Sequence, residues 1–181
     1  MVTLAPVARR NGSTGLQPAD VLAALADVPD PEIPAVSIVE LGMVGDVNVD
    51  ERGIRVELLP TFVGCPALEV IRDAVTRRLA ELGAAVTVDV SFATPWTSDR
   101  ITPAGREKLR GSGFAPPPLV RMGRELPMLE RRPAAVAPEP VECPYCGSSK
   151  TTLENVFGPT QCRSIRHCAD CRQPFEAFKP I

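Results

Sequence analysis

Cys65-Pro-Ala-Leu-Glu-Val-Ile-Arg-Asp-Ala-Val-Thr-Arg-Arg-Leu-Ala-Glu-Leu-Gly83 decides how the first two thirds of this chain fold. Leu68, Ile71, Val75, Leu79 and Leu82 recur at three- and four-residue spacing, and Glu69, Arg72, Asp73, Arg77 and Arg78 fill the opposite face. That period belongs to an amphipathic helix with one buried stripe. Pro66 suits its first turn and Gly83 its end. The reading places Cys65 at the N-cap, where unpaired amide hydrogens and the helix dipole favour a thiolate.

Upstream, Pro18 to Asp27 reads as a short helix with Val21, Leu22 and Leu25 on one face. Val28-Pro-Asp-Pro-Glu-Ile-Pro34 stops it, because prolines at that density cannot continue a helix. Val44 to Asp50 and Ile54 to Leu59 read as a hairpin about the Glu51-Arg-Gly53 turn. Downstream, Val86, Val88 and Val90 alternate as a strand, and Thr102-Pro103 opens a last helix to about Leu109. Helix, strand, strand, helix, strand, helix is an α+β domain, assigned to residues 18–113. Trp96, in a Thr-Pro-Trp-Thr loop, reads as a partly buried anchor or an exposed interface aromatic.

The other informative stretch lies near the C-terminus. Cys143-Pro-Tyr-Cys146 and Cys168-Ala-Asp-Cys171 are two Cys-x-x-Cys knuckles, 21 residues apart. Each sets two sulfurs on one tight turn, and together they supply a tetrahedral thiolate site for zinc or, with a rubredoxin-like knuckle, for iron. Residues 141–181 are too few to build a self-sufficient core, so a structural Zn²⁺ bound by Cys143, Cys146, Cys168 and Cys171 is the expected staple. Thr151 to Phe157 and Pro174 to Phe178 can form the strands of a zinc ribbon. His167, the one histidine, could replace a ligand but reads better as solvated. Cys162 reads either as a small apolar residue under the ribbon or as an auxiliary metal or redox thiol.

Between these units, Phe114 to Pro140 holds seven prolines in 27 residues with no apolar period, which reads as an extended linker over 114–140. Met1 to Gln17 carries Arg9-Arg10 without a following apolar stretch. It reads as a disordered tail over 1–17 rather than a signal peptide. The chain of 181 residues has a net charge of −2 and no apolar run of membrane-spanning length, so neither a membrane nor nucleic acid is an expected partner. The ribbon's own balance, Lys150, Arg163, Arg166, Arg172 and Lys179 against Glu142, Glu154, Asp170 and Glu176, is too even for phosphate recognition. Without an export signal a cytoplasmic, reducing location is expected, in which paired cysteines bind metal. A single histidine, outside the α+β domain, leaves Cys65 without a base for thiol catalysis.

Four motifs carry a family resemblance: Asp30-Pro-Glu-Ile-Pro34, Ser37-Ile-Val-Glu-Leu-Gly-Met-Val44, Leu59-Pro-Thr-Phe-Val-Gly-Cys-Pro66 and Thr94-Pro-Trp96. They resemble the MIP18 (DUF59) domain, a family that contributes to iron–sulfur protein assembly. Phe157-Gly-Pro-Thr-Gln-Cys162, with Cys168-Ala-Asp-Cys-Arg-Gln-Pro-Phe175 and Phe178-Lys179, is similar to the C-terminus of the D-component family of phenylacetyl-CoA epoxidases. Two departures stand out: Glu40, where the family more often has Asp, and Gly45, where a basic residue is common.

The resemblance implies a MIP18-like αββαβα domain followed by a zinc ribbon. It also implies an accessory, non-catalytic role in a multicomponent phenylacetyl-CoA oxygenase, assisting assembly of iron–sulfur or iron centres. Carried over, Cys65 is the functional cysteine, with Glu32 from the Asp-Pro-Glu turn and Thr61 ahead of the cysteine. The cargo would be a transient iron or iron–sulfur load at Cys65. The implied partners are the other oxygenase subunits, above all the flavin/iron–sulfur reductase, or a second copy in a homodimer. A nucleic-acid-binding ribbon and a rubredoxin-like electron carrier are the competing readings.

Overall fold

Alternating apolar residues in Gly53–Leu58 bury Ile54, Val56 and Leu58 on one face, and this strand organises the α+β domain. The computed structural model describes residues 15–118 and 141–180, so most of the expected tail and of the expected linker lies outside the described residues. The first unit runs α1 (Pro18–Leu25), β1 (Val44–Asp50), β2 (Gly53–Leu58), α2 (Leu68–Ala80), β3 (Val86–Val90) and α3 (Pro103–Gly111). β1 pairs antiparallel with β2, and β3 pairs parallel with β2, which places β2 at the centre of the sheet. A parallel pair needs a crossover, and α2 supplies it. Its Ile71, Val75 and Leu79 enter the core alongside Val21 and Leu25 of α1.

Helix α3 starts as the sequence suggests. The Thr102 side chain caps it by accepting from the Gly105 amide at 3.0 Å, with Pro103 at the first helical position. Helix α2 differs: it begins at Leu68, three residues beyond Cys65, so Cys65 is not its N-cap. The chain first makes a turn in which the Cys65 amide donates to Phe62 O at 3.1 Å. Gly64 takes φ +86° at the third position of that turn, a backbone conformation that favours glycine.

Two loops close over one end of this domain. The Trp96 indole, 4% exposed, donates to Leu41 O at 2.9 Å, and the Arg100 guanidinium donates to Gly42 O at 2.9 Å. Trp96 is therefore a buried anchor. Gly42 has φ +67°, and a Cβ there would collide with the Arg100 backbone, so this position is held to glycine. Residues 29–37 form a loop whose neck is fixed by Asp30 N to Val36 O at 2.8 Å and Ile38 N to Val28 O at 3.0 Å. It carries Asp30 and Glu32 to the same end of the domain as the Phe62–Cys65 turn.

The second unit is a four-stranded sheet in the order β4-β7-β6-β5, from β4 (Phe114–Ala115), β5 (Thr151–Asn155), β6 (Arg163–Cys168) and β7 (Pro174–Phe178). Strands β5 and β7 lie where the sequence suggested. Strand β6 and the strand character of Phe114–Ala115 were not foreseen. Phe114–Ala115, expected at the start of the linker, instead pair in parallel with Glu176–Ala177 of β7. The two units also share apolar packing: Phe178 of β7 is buried in the α+β core, and Cys162 packs half-buried against it.

Candidate functional site

The four knuckle sulfurs come together at one end of the ribbon. Cys143 Sγ lies 3.6 Å from Cys171 Sγ, and Cys146 Sγ lies 3.6 Å from Cys168 Sγ, with all four within 4.8 Å of one another. A tetrahedron with Zn–S of about 2.3 Å has S···S edges of about 3.8 Å, whereas a disulfide holds its sulfurs about 2.05 Å apart. The spacing therefore fits a four-thiolate zinc and excludes crosslinks. Amides turn inward as well: those of Cys171 and Asp170 help bring Cys168 down to about 6. The Gln173 amide pulls Cys171 the same way, but burial and the neighbouring sulfurs push it up to about 12. Four sulfurs this close cannot all ionise unless a cation sits among them. His167 lies outside the group. A closed four-sulfur site has no open position, so its contribution is to hold the ribbon together.

A second site forms at the seam between the units. One cavity of about 30 Å³ is lined by Asp30, Glu32, Thr61 and Cys65 from the α+β domain and by Thr160, Cys162 and Arg163 from the ribbon, with Ile33, Leu41 and Phe178 as apolar walls. The three residues marked out in the sequence, Cys65, Glu32 and Thr61, are thus brought together. Thr61 is buried and Cys65 half-buried.

The charge around Cys65 runs against the sequence expectation. Its thiol is raised above the ordinary range, first by burial, then by Cys162 and the Asp30 and Glu32 carboxylates, while an Ala67 backbone hydrogen bond pulls it partly back. The expected ionised thiolate at a helix N-terminus is therefore corrected. Helix α2 starts at Leu68, so Cys65 is not its cap, and burial with Cys162, Asp30 and Glu32 outweighs the Ala67 amide.

The acidic turn divides its labour. Asp30 Oδ1 accepts from the amides of Glu32 and Ile33, both at 2.9 Å, and so fixes the turn. Burial raises the Asp30 carboxyl despite those two amides. Glu32 instead reaches across the seam, where its Oε2 accepts from Arg163 Nη2 at 2.5 Å.

Arg163 is the hub that sequence reading missed. Its Nε donates to Thr160 Oγ1 at 2.7 Å, its Nη1 lies 2.9 Å from Glu176 Oε2, and its guanidinium stacks 5.4 Å from the Phe114 ring centre. Thr160 Oγ1 in turn lies 3.2 Å from Cys162 Sγ. A continuous polar chain thus joins Glu32, Arg163, Thr160 and Cys162. The only sign of it in the sequence was Cys162-Arg163 standing apart from both knuckles.

Comparison with known proteins finds two families along the chain. Residues 18–91 match the family described as iron–sulfur cluster assembly protein, and residues 131–179 match the PaaD zinc beta ribbon domain. A protein of Escherichia coli K12, named as the D component of a 1,2-phenylacetyl-CoA epoxidase, is 38% identical over 163 residues, covering 90% of this chain and 92% of its own. The Fe–S protein maturation auxiliary factor YitW of Bacillus subtilis is 37% identical over 86 residues, covering 46% of this chain and 83% of its own. A solved DUF59 domain from Bacillus anthracis is 30% identical and superposes with a TM-score of 0.47, covering 50% of this chain and 89% of that one.

Fold and sulfur site together define an iron–sulfur-assembly-type α+β domain joined to a structural zinc ribbon. The chain belongs to the PaaD family, the D components of phenylacetyl-CoA epoxidases.

Proposed function

We propose that this chain is an accessory, non-catalytic subunit of a multicomponent phenylacetyl-CoA oxygenase, and that it assists assembly of that system's iron–sulfur or iron centres. The observation that carries the reading is the placement of Cys65. A half-buried thiol lines a cavity with a carboxylate and a buried threonine, and no histidine lines that cavity. Such a site lacks the histidine base that usually activates a catalytic thiol, yet it offers a soft ligand to iron. The relatives' names, an epoxidase component and an Fe–S maturation factor, support the same pairing of pathway and role.

In this reading iron is cargo. Cys65 exchanges its proton for the ion or cluster, which makes loading pH-dependent and reversible. Glu32 and Thr61 line the same cavity, and the zinc ribbon stays intact throughout. The client we favour is the flavin/iron–sulfur reductase of the oxygenase, and a second copy of the chain can supply further thiols. No helix among the described residues is long and apolar enough to cross a membrane.

The test is co-production of the oxygenase subunits with wild type or with Cys65→Ser. We expect the variant to fold, retain zinc and leave the reductase deficient in iron. Full iron content and full oxygenase activity with Cys65→Ser would overturn the reading.

A further inference from the structure

The cavity beside Cys65 contains a second thiol, and the ribbon supplies it. Cys162 lies outside both knuckles and outside the four-sulfur group, yet it reaches the α+β domain and packs against its core. Cys65 and Cys162 line the same cavity, and Cys162 is among the groups that raise the Cys65 thiol. Neither is in a disulfide.

Cys162 has a polar neighbour within the ribbon. Arg163 Nε has no lone pair to offer, so it must donate to Thr160 Oγ1. The Thr160 proton is then free to point at Cys162 Sγ, 3.2 Å away. Arg163 itself, 7% exposed at its side chain, brings one positive charge beside the Asp30 and Glu32 carboxylates. The remaining balance of the seam favours a cation.

We propose that Cys65 of the α+β domain and Cys162 of the ribbon together form a two-sulfur site for one soft divalent cation, Fe(II), at the seam between the units. This rests on the reading of Cys65 as a cargo thiol and adds to it a second ligand from the other unit. On loading, two thiols release two protons and two sulfur–metal bonds form; no electron moves. The cavity of about 30 Å³ offers roughly two water-sized positions, which is room for an ion and a bound water. Two protein ligands leave coordination positions open, unlike the closed tetrad of the knuckles, so the ion can be passed on.

The experiment uses the full-length, zinc-loaded, reduced chain under anaerobic conditions, titrated with Co(II) as the probe. Thiolate-to-cobalt charge transfer in the near ultraviolet reports the bond, and zinc content with Trp96 fluorescence reports the fold. Wild type should bind one Co(II) beyond its zinc, and Cys65→Ser and Cys162→Ser should each weaken that binding at least tenfold. Cys162→Ala serves as a second replacement and should behave as Cys162→Ser does. If the Cys162 variants bind as wild type while Cys65→Ser does not, the two-sulfur site is wrong and the Cys65 reading survives. If wild type takes up no Co(II) beyond its zinc, or Cys65→Ser binds it unchanged, both are wrong.

Discussion

Arg163 and Glu32 are 131 residues apart in sequence and meet at 2.5 Å. The contact ties β6 of the ribbon to the acidic turn of the α+β domain, and Arg163 is almost wholly enclosed while doing so. Glu176 faces the same guanidinium at 2.9 Å, at an angle that makes the contact an ion pair rather than a hydrogen bond.

Removing the guanidinium leaves two carboxylates without their cation. Arg163→Ala should lower stability by about 2–3 kcal/mol, the size of charged hydrogen bonds lost at a partly enclosed site. Arg163→Lys should recover only part of it, because an ammonium cannot reproduce the fork of contacts. Urea unfolding of both variants measures this, and equal stability of Arg163→Ala and wild type would contradict the account.

Zinc removal should be felt mainly in the ribbon. Structural zinc supplies about 10–16 kcal/mol of apparent folding energy in small domains. We expect one zinc per chain, colourless protein, and loss of the ribbon's β signal in Cys143→Ser or Cys168→Ser. A red protein carrying ferric iron in its place would contradict the assignment.

Phe178 links the two stabilities. It sits on β7 of the ribbon yet is 5% exposed within the α+β core. Phe178→Ala should cost about 3–5 kcal/mol, the usual range for a buried aromatic truncated to alanine. The loss should register at Trp96, the one tryptophan, which is buried in the other unit. An unchanged Trp96 unfolding midpoint would mean that Phe178 contributes nothing across the seam.

Cys65 should be a slow thiol at neutral pH. Its proton is held above the ordinary range by burial and by the facing Cys162, Asp30 and Glu32. Iodoacetamide labelling of Cys65, followed by mass spectrometry, should therefore lag a free peptide thiol at pH 7.5 and rise at a higher pH. Cys162→Ser removes the opposing sulfur and should shift that profile downward. Fast labelling at neutral pH would contradict the arrangement.

Glu40 should confer an acid-sensitive increment of stability. Burial disfavours its charge, but the Lys108 ammonium at 2.7 Å and the Ser37 amide at 2.9 Å more than offset this and hold its carboxyl below the usual range. A lowered folded value contributes stability above the unfolded value and loses it as pH falls through the folded one. Glu40→Ala should cost about 1 kcal/mol at pH 7, as loss of a capping pair does, and flatten the stability profile between about pH 5 and 3.

Much of this was legible because the α+β domain follows simple periods. The stripe of Ile71, Val75 and Leu79 and the alternation of Ile54, Val56 and Leu58 each face one core, so pattern and burial agree. The four knuckle cysteines were legible for a different reason: metal geometry fixes their spacing locally. Strand β6 was not legible, because Arg163, Ser164 and Arg166 are buried in it where a strand usually buries apolar residues. Arg163 owes its enclosure in part to Glu32 of the other unit, which leaves no trace in local composition. Phe114–Ala115 is too short to show a period and finds its partner some 60 residues away, at Glu176–Ala177. The cavity was half legible: its turn, its cysteine and Cys162 could be named, but not that the ribbon brings Cys162 and Arg163 opposite Cys65.

Strand β4 has a practical consequence for anyone dissecting the gene. A fragment beginning at Val141 would carry all four knuckle sulfurs but would strip β7 of its outer neighbour. The bared rim of unpaired amides and carbonyls would then be free to recruit another fragment edge to edge. The excised ribbon should accordingly drift into oligomers, whereas one that keeps Phe114 and Ala115 should stay monodisperse.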